Sequence, residues 1–381
     1  MKTKARIVHI TTVHHPHDPR IYYKQCISAQ KADFETFLIA QETTDQLAED
    51  VGVKHVQLKS YKSRLKRMLF GTWEAYKKAK KLRADIYVFH DPELMVVGSL
   101  LKKKHNIVIY DIHEDYVTSI LQKEYLSKPF KLIIARLYRF LEKWLTRKME
   151  LSLAEKYYQE LYPRGKTILN YPIINEKLLK VDRSKQPIVD KLLYTGNVTE
   201  DRGALIHAKI PSILPEVSVQ FVGKCDKELA ERMRERAGDH KDKLYFEGID
   251  QFVVKEKIEN YYVKENWLAG IALFPPTEHY MKKELTKFFE YMNVGLPIIC
   301  SNFPAWQAFI EKYKCGIAVD PYDDDAIVKA IETLRDNPEL KRQLGENGRR
   351  AIANELNWQM EEAKLIDWYH ELLDRLPNKS R

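Results

Sequence analysis

Short apolar runs rich in β-branched residues recur along the chain, separated by longer segments whose apolar residues have helical spacing. This alternation predicts parallel strands buried on both faces by helices, as in Rossmann-like α/β domains. In the first half of the chain, strands are predicted at 5–12, 34–40, 53–58, 85–90, 106–112, 151–154 and 166–169. The pattern starts again in the second half, with strands predicted at 191–194, 217–222, 244–246, 268–274 and 314–319.

The segment 170–190 separates the two series of strands. It contains two prolines, many charges and little periodicity, which is typical of a linker. A chain of 381 residues also exceeds the size of one ordinary hydrophobic core. We therefore predict an amino-terminal Rossmann-like domain at 1–175, a carboxyl-terminal one at 190–355 and a final helix at 356–381.

A short helix with both ends marked is predicted within the segment 275–302. Thr286 is of the type that caps helix amino ends, and Gly295 stops the helix before a proline and an apolar strand. The strand that precedes this segment delivers the helix start to the edge of the sheet where α/β proteins bind ligands. Unpaired amides and the Lys287 ammonium suit a phosphate, and Glu290, one turn later, suits the two hydroxyls of a ribose. This pattern predicts a nucleoside diphosphate clamp; the alternative is a solvated ion pair between Lys287 and Glu290.

The run TKFFEYMNVGLPIICS resembles the segment P-x-K-x-F-E-Y-M-x-x-G-x-P-V-I-x-S of retaining glycosyltransferase family 4, whose members have the GT-B fold. The resemblance implies two Rossmann-like domains facing across a cleft, with the carboxyl-terminal helix crossing back to the amino-terminal domain. It further implies that Glu290 holds the ribose of a sugar nucleotide, while the amides of Leu285, Thr286 and Lys287 hold the distal phosphate. Many members carry a second Glu eight residues earlier, where this chain has Lys282, so recognition of the donor sugar cannot be transferred.

A glycine turn follows the strand predicted at 191–194, and a cation precedes the next helix, an arrangement that suits phosphate. In the resembling family the cation at the place of Arg202 neutralises the diphosphate, and an Arg often stands where this chain has Asn197. Ile249 lies where the family's backbone usually meets the nucleobase. The resemblance therefore implies donor-binding roles for Gly196, Asn197, Arg202, Ile249, Leu285, Thr286, Lys287 and Glu290.

Two successive strand ends in the first half carry histidines and acids, at His90 and at His113 with Glu114. The resemblance implies that His113 faces the reacting sugar. It also implies that His90, in an H-x-P-E type turn, supports the cleft or contacts the acceptor together with Glu114. A hydrogen-bonded core histidine is the alternative for His90.

The loop after the first strand contains His17, Asp18 and Arg20, which the resemblance places on the acceptor side. The alternative for Asp18 is a cap for the helix that begins near Ile21. Three histidines within four residues also suggest zinc, but a proline interrupts them and no partner ligand is suitably spaced, so no metal site is expected. The acidic run 323–325 is expected to cap the following helix, since carboxylates favour helix amino ends.

Basic residues exceed acidic ones, giving a formal charge of +9. Nine Lys or Arg and one acid lie between Lys62 and Arg83, and basic residues alternate with large apolar ones from Lys123 to Lys148. Basic amphipathic helices favour an anionic membrane surface; the alternative is that their apolar stripes pack on the sheet. The sequence has no recognisable nucleic-acid-binding module, so no nucleic-acid partner is expected.

The four cysteines are scattered without a C-x-x-C pair, and no apolar run reaches the length of a membrane span. We therefore expect a cytoplasmic protein, peripheral on the inner face of the membrane if the basic helices act there. We expect no cofactor; the donor substrate is a nucleoside diphosphate sugar, with UDP or GDP as its nucleotide.

The resemblance, together with these patterns, implies a retaining, metal-independent hexosyltransferase that moves a sugar to a hydroxyl of a lipid-linked or other glycan acceptor. The expected setting is the assembly of capsular, exopolysaccharide or other cell-surface glycans. The expected catalytic residues are His113, Arg202, Lys287 and Glu290. The alternatives are a sugar-nucleotide epimerase on the same fold, which would turn over the donor without an acceptor, and an inactive relative that acts as a scaffold.

Overall fold

The computed structural model describes residues 4–43, 52–121, 127–182 and 186–377. The chain divides into two compact units: Met1–Asn170 with Trp358–Arg381, and Tyr171–Asn357. Each unit is built on one sheet of parallel strands flanked by helices, which confirms the predicted pair of Rossmann-like domains.

The strands of the first unit are Arg6–Ile10 (β1), Glu35–Gln41 (β2), Lys54–Leu58 (β3), Ile86–Phe89 (β4), Ile107–Ile112 (β5), Glu150–Leu153 (β6) and Lys166–Thr167 (β7). They form a parallel sheet in the order β3-β2-β1-β4-β5-β6-β7. Successive side chains point to opposite faces, so Ile86 and Val88 enter one hydrophobic core while Tyr87 and Phe89 enter the other. Burial on both faces explains why these strands read as continuous apolar runs.

The helices of the first unit begin with a π-helical segment, Pro19–Cys26, which continues as α1, Ile27–Lys31. A second helical stretch runs from Arg64–Lys66 (α2) through a π-helical turn, Arg67–Gly71, into Thr72–Leu82 (α3). The remaining helices before the second unit are Met95–Leu101 (α4), Tyr116–Leu121 (α5), Lys128–Thr146 (α6) and Tyr158–Leu161 (α7).

The second unit repeats the plan with six parallel strands: Ile188–Thr195 (β8), Ser218–Cys225 (β9), Leu244–Ile249 (β10), Asn266–Ala272 (β11), Ile298–Ser301 (β12) and Gly316–Val319 (β13). Their order is β10-β9-β8-β11-β12-β13. The helices are Glu176–Leu179 (α8), Ala204–Ile213 (α9), Lys227–Ala237 (α10), Lys255–Lys264 (α11), Glu278–Met281 (α12), Thr286–Asn293 (α13), Pro304–Tyr313 (α14), Asp324–Asp336 (α15) and Pro338–Asn354 (α16).

The last helix, Trp358–Asp374 (α17), packs within the first unit. Its buried residues, among them Trp358 and Tyr369, join a core with Ile86 and Ile107 on one face of the sheet. The Trp358 indole donates to Ser28 Oγ at 3.0 Å. This hydrogen bond fixes the position of α17 relative to α1. The opposite face of the sheet is covered by α3, α4 and α6.

Several local predictions need correction. The predicted linker 170–190 contains α8 and the first residues of β8, while 183–185 lie outside the described residues. Thr286 is the first residue of α13, not its cap: the cap position is held by Leu285, whose side chain bonds to nothing there. Asp323, in contrast, accepts from the Ala326 amide and caps α15 as predicted. Among the described residues, no helix has both the length and the apolarity needed to cross a bilayer.

Candidate functional site

The candidate residues of each unit lie at the switch point of its sheet. At this point the strands that follow along the chain begin to be added on the other side of the first strand. In each unit the first strand lies next to the fourth, as β1 next to β4 and β8 next to β11. Ligands of open α/β sheets bind at the carboxyl ends of strands at such a point. His90 and Asp91 leave β4 here in the first unit, and Gly196 leaves β8 here in the second.

A buried carboxylate organises the first unit. Asp111 is fully buried at the end of β5 and accepts hydrogen bonds on both oxygens. Arg20 pairs with it through Nε at 3.0 Å and Nη2 at 2.7 Å. Burial alone would raise the pKa of Asp111, but the Arg20 charge and the bonds from histidines hold it well below its ordinary value. The side chains that bond to this carboxylate, here called the Asp111 cluster, are Arg20, Gln25, His90, His113 and Ser152.

A chain of histidines ends at this carboxylate. His9 Nδ1 lies 3.1 Å from His90 Nε2, and His90 Nδ1 lies 3.1 Å from an Asp111 oxygen. Burial lowers the pKa of both histidines, so both are neutral and each donates one hydrogen bond toward Asp111. The structure therefore supports the alternative interpretation of His90 as a hydrogen-bonded core histidine.

His113 also bonds to Asp111 through Nε2, while Tyr158 donates to its backbone carbonyl. These two bonds fix the position of the ring, which is only partly buried. In the tautomer that donates from Nε2 to the carboxylate, Nδ1 carries the lone pair of the ring. His113 can then accept a hydrogen bond from a hydroxyl group.

The loop after β1, which contains His14, His15 and His17, contributes a residue that sequence reasoning did not select. His14 lies 5.5 Å from His113 between ring centroids, and its nitrogens lie 3.3 Å from Asp18 and 3.4 Å from Asp91. Burial alone would lower the pKa of His14, but the bond with Asp18 and the nearby carboxylates, including Glu114, raise it. The carboxylates around His14 therefore favour its protonated form.

The residues predicted for the acceptor side have different environments. Arg20 is buried in the Asp111 cluster, so its guanidinium positions the carboxylate instead of facing solvent. Asp18 accepts from the amides of Arg20 and Ile21 and caps the π-helical segment. His17 lies 3.1 Å from the Tyr23 hydroxyl, away from Asp111, and Glu114 is exposed.

Three side chains of the Asp111 cluster have the spacing of metal ligands. One ligand atom each from His90, Asp111 and His113 lies within 4.8 Å of the others. However, Arg20 already pairs with both carboxylate oxygens, so a dication would face its charge, and the bonds from the histidines would be lost. We interpret this group as a hydrogen-bonded network.

The second unit contains a buried cation. Lys287, on α13, is 8% exposed, and its ammonium has no hydrogen-bond partner in the described part of the chain. The ammonium lies over the Tyr194 ring, 3.5 Å from its centroid, and 4.9 Å from that of Phe274. Burial and the charge of Arg202 lower the pKa of Lys287 well below its ordinary value, and Glu290 opposes them only in part. The alternative of a solvated ion pair does not hold for this residue.

Arg202 approaches the same point from the loop after β8. Its Nε donates to the Tyr280 hydroxyl at 3.0 Å, and that hydroxyl donates to Asp201. Gly203, at φ +79°, lets the loop turn here, because a Cβ would lie 1.8 Å from the Leu273 carbonyl oxygen. We call Tyr194, Arg202, Lys287 and Glu290 the Lys287 cluster.

Glu290 is held by a residue on another helix. The Tyr262 hydroxyl donates to one Glu290 oxygen at 2.8 Å and also lies 2.9 Å from Thr195 Oγ1. The second Glu290 oxygen is available to a ligand such as a ribose, which offers two neighbouring hydroxyls.

The remaining residues predicted to bind the donor lie at the carboxyl edge of this sheet. Asn197 is exposed, and its carbonyl accepts from Tyr194. Ile249 ends β10, two strands away from β8. Leu285 holds the cap position of α13 without a side-chain bond, and Thr286 is the first residue of the helix.

Sequence reasoning missed the tyrosines that build the second site. Tyr194, Tyr262 and Tyr280 contact Lys287, Glu290 and Arg202, respectively. Only Tyr194 carries a usable signal, since it lies one residue before the strand end that precedes Gly196. The other two lie on α11 and α12, and nothing in their local sequence marks them.

Comparison with known proteins finds a family match within the second unit. Residues 285–351 match the family described as glycosyl transferases group 1, and this range begins at Leu285 and includes Lys287 and Glu290. An MMP alpha-(1->4)-mannosyltransferase of Mycolicibacterium hassiacum is 31% identical over 88 residues, which are 23% of this chain and 21% of that protein. This chain therefore matches about a fifth of the length of its curated relative.

Solved structures resemble the chain along nearly its whole length. Sucrose-phosphate synthase from Thermosynechococcus elongatus is 19% identical, with 97% of this chain and 100% of that chain covered and a TM-score of 0.72. Anabaena HepE in complex with UDP and glucose is 11% identical, with coverage of 96% and 99% and a TM-score of 0.67. At these identities the likeness shows the fold, which is the predicted GT-B architecture.

Proposed function

We propose that this protein is a glycosyltransferase that moves a sugar from a nucleoside diphosphate sugar to an acceptor hydroxyl with retention of configuration. The observation that carries the proposal is the buried Lys287 ammonium, which lacks a hydrogen-bond partner within the described residues and lies near Arg202 on the first turn of α13. A buried charge without a partner is costly, and an anionic ligand would compensate it. The match to glycosyl transferases group 1 over residues 285–351 supports this assignment.

The donor diphosphate would lie against the Lys287 cluster. Lys287, Arg202 and the first amides of α13 would each donate to its oxygens, while the unengaged Glu290 oxygen would accept from the ribose. Bonds of this kind contribute about 1.5 to 3 kcal/mol each, so three give roughly 5 to 9 kcal/mol. That range corresponds to roughly millimolar to micromolar donor affinity. We propose UDP or GDP as the nucleotide; HepE was solved with UDP.

The same groups would assist bond cleavage. As the anomeric carbon becomes cationic, negative charge grows on the departing diphosphate, and fixed cations stabilise it without reorganisation. The carboxylates of the Lys287 cluster and its loop, Glu290 and Asp201, are held by Tyr262 and Tyr280, so neither is placed as a nucleophile. We propose front-face substitution, in which the departing phosphate takes the acceptor proton and no metal takes part.

His113 would accept a hydrogen bond from a hydroxyl of the donor sugar through Nδ1 and so orient that sugar. Asp111, Arg20 and His90 would keep the ring in place as positioning residues. We propose a lipid-linked or other glycan acceptor, in the assembly of a cell-surface glycan. The proposed location is cytoplasmic and peripheral on the inner face of the membrane.

Calorimetry with UDP, GDP and ADP tests the donor site first, since the affinities identify the nucleotide. Glu290→Ala should weaken binding of the preferred nucleotide by more than about tenfold, because the ribose loses a charged acceptor. Glu278→Ala, on the neighbouring α12, is the matched control and should bind normally. Unchanged affinity in Glu290→Ala would reject the clamp, and turnover of the sugar nucleotide without any acceptor would favour an epimerase.

A further inference from the structure

The helices that cover one face of the first unit expose many large apolar side chains. On α6, six exposed large apolar residues follow one helical stripe, namely Phe130, Ile133, Leu137, Phe140, Leu141 and Trp144, and Leu132 is exposed outside it. Phe140 is 66% exposed, whereas the inward side of the helix carries Ala135, Glu142 and Thr146. The alternative that apolar residues of this helix pack on the sheet holds for Tyr138 and Leu145, which contact the core, but not for the exposed stripe. Residues 122–126 of the predicted basic segment lie outside the described residues.

The stretch from α2 to α3 also exposes large apolar residues. Its fully buried apolar residues are small, such as Ala75 and Ala79, and Tyr76 and Leu82 are partly buried against the same core, while other large apolar residues point outward. The exposed set is Leu65, Met68, Leu69, Phe70 and Trp73, of which Leu69 is 68% exposed. α4 lies between α3 and α6, packs against both, and adds the exposed Val96 and Leu100. These exposed residues of α2–α3, α4 and α6 form one surface, here called the docking face.

The charges around the docking face have one dominant sign. Between Lys128 and Lys148 there are seven Lys or Arg and a single acid, Glu142. Glu142 is buried and accepts from the hydroxyls of Tyr138 and Tyr162, so it is withdrawn from the surface. Burial raises the pKa of Glu142, and the bonds from the two tyrosines oppose that shift. The exposed charges of α6 are therefore cations.

Aromatic residues and cations are paired on this surface. Lys77 lies over the ring of Trp73, and Arg147 lies over that of Trp144. A small cleft of about 150 Å³ beside Trp144 is lined by Lys102, Arg147 and Lys148. Amphipathic aromatic rings next to cations suit the boundary between lipid headgroups and acyl chains.

We infer that the docking face binds the surface of a bilayer rich in anionic lipid, with its apolar side chains inserted below the headgroups and its cations bound to lipid phosphates. The charge decides between occupants: a second copy would bring the same cations against each other, whereas anionic headgroups complement them. The inference deepens the proposed peripheral location but does not need the proposed reaction.

Sedimentation of the full chain with vesicles tests this inference. The protein should co-sediment with vesicles of phosphatidylcholine mixed with phosphatidylglycerol. Vesicles of phosphatidylcholine alone should bind it at least about tenfold more weakly. The double variant Leu137→Ser with Phe140→Ser should lose at least about tenfold in binding, because both side chains are proposed to insert. The double variant Arg136→Gln with Lys143→Gln should lose about thirtyfold at low salt and less at high salt.

Matched variants on the second unit control for general surface effects. Phe252, 79% exposed, and Lys255 lie far in sequence from the docking face, so Phe252→Ser and Lys255→Gln should leave vesicle binding unchanged. Failure of the wild-type protein to bind anionic vesicles would overturn the inference. So would self-association that the Leu137→Ser and Phe140→Ser variant abolishes, since a second copy would then cover this face. Calorimetry with the preferred nucleotide should be unchanged in every docking-face variant, so the donor site is judged separately.

Discussion

The two Rossmann-like units each bury a charge at the switch point of their sheet, but they treat that charge in opposite ways. In the first unit, Asp111 accepts bonds from five side chains and is neutralised by Arg20. In the second, Lys287 has no hydrogen-bond partner among the residues that the structure describes, and its ammonium lies over aromatic rings near the Glu290 charge. A satisfied buried charge rigidifies its surroundings, whereas an unsatisfied one is left for a ligand. The comparison thus separates a structural framework from the proposed donor-binding site.

The largest effect is expected from neutralising Asp111, the buried charge that is paired and hydrogen-bonded. Asp111→Asn leaves the buried Arg20 guanidinium without its counter-charge, and breaking a buried pair in this way costs about 3 to 5 kcal/mol. Chemical unfolding of the full chain should show that loss of stability. Ser152→Ala, which removes one neutral donor to the same carboxylate, should cost only about 1 kcal/mol. Equal costs in the two variants would show that the Arg20 pair is not what holds the cluster.

Neutralising the unsatisfied charge should have the opposite outcome for stability. Lys287→Met keeps the length and apolar stem of the side chain but removes an unpartnered charge, so the free energy of unfolding should stay equal or rise. Binding of the preferred nucleotide should fall by about tenfold to a hundredfold, since a charge-assisted bond is lost. Thermal unfolding and calorimetry on the same sample measure both quantities.

The exposed Lys282 gives the matched control, and Lys282→Met should change neither measurement by much. A Lys287→Met protein that is less stable but binds the nucleotide normally would make Lys287 a structural residue.

His113 is where the framework of the first unit should affect chemistry. His113→Ala should lower turnover by about tenfold and change donor affinity less, because the ring is proposed to orient the sugar and not the nucleotide. Steady-state kinetics with the acceptor, beside calorimetry, separates the two effects. His15→Ala, in the neighbouring loop and exposed, should behave as wild type. Normal turnover in His113→Ala would remove His113 from the reaction.

The smallest effect concerns protons. The pKa of Lys287 is lowered in the free protein by burial and by Arg202, and a bound diphosphate would raise it. Above the free-state pKa, nucleotide binding should therefore take up a fraction of a proton, and affinity should weaken as pH rises. Calorimetry in buffers of different ionisation enthalpy measures the uptake, which should vanish in Lys287→Met. Proton release on binding would contradict the assignment of the cation.

Much of the fold could be predicted because both sheets are parallel and covered on both faces. Runs such as 106–112 must then be apolar throughout, and that composition is visible without any partner. The residues Arg202, Lys287 and Glu290 could also be selected, since each lies beside a strand end or helix start that the sequence marks.

The partners of these residues could not be predicted in the same way. Tyr262 reaches Glu290 from 28 positions away in the chain, and Tyr280 reaches Arg202 from 78. The family resemblance suggested an acceptor-side role for Arg20, yet the structure pairs it with Asp111, 91 residues later. Hydrogen bonds between distant segments depend on how strands are ordered in the sheet, which local sequence does not encode.

The sequence by itself determined the α/β class, the presence of two successive series of strands and the positions of the glycine turns at Gly196 and Gly295. Each of these features depends on neighbouring residues alone. Only the tertiary structure decided which buried charge is satisfied and which face of α6 points outward. Helical spacing shows that a stripe exists but not toward what it points, since small residues such as Ala75 and Ala135 can form the packed face and leave the large ones to solvent.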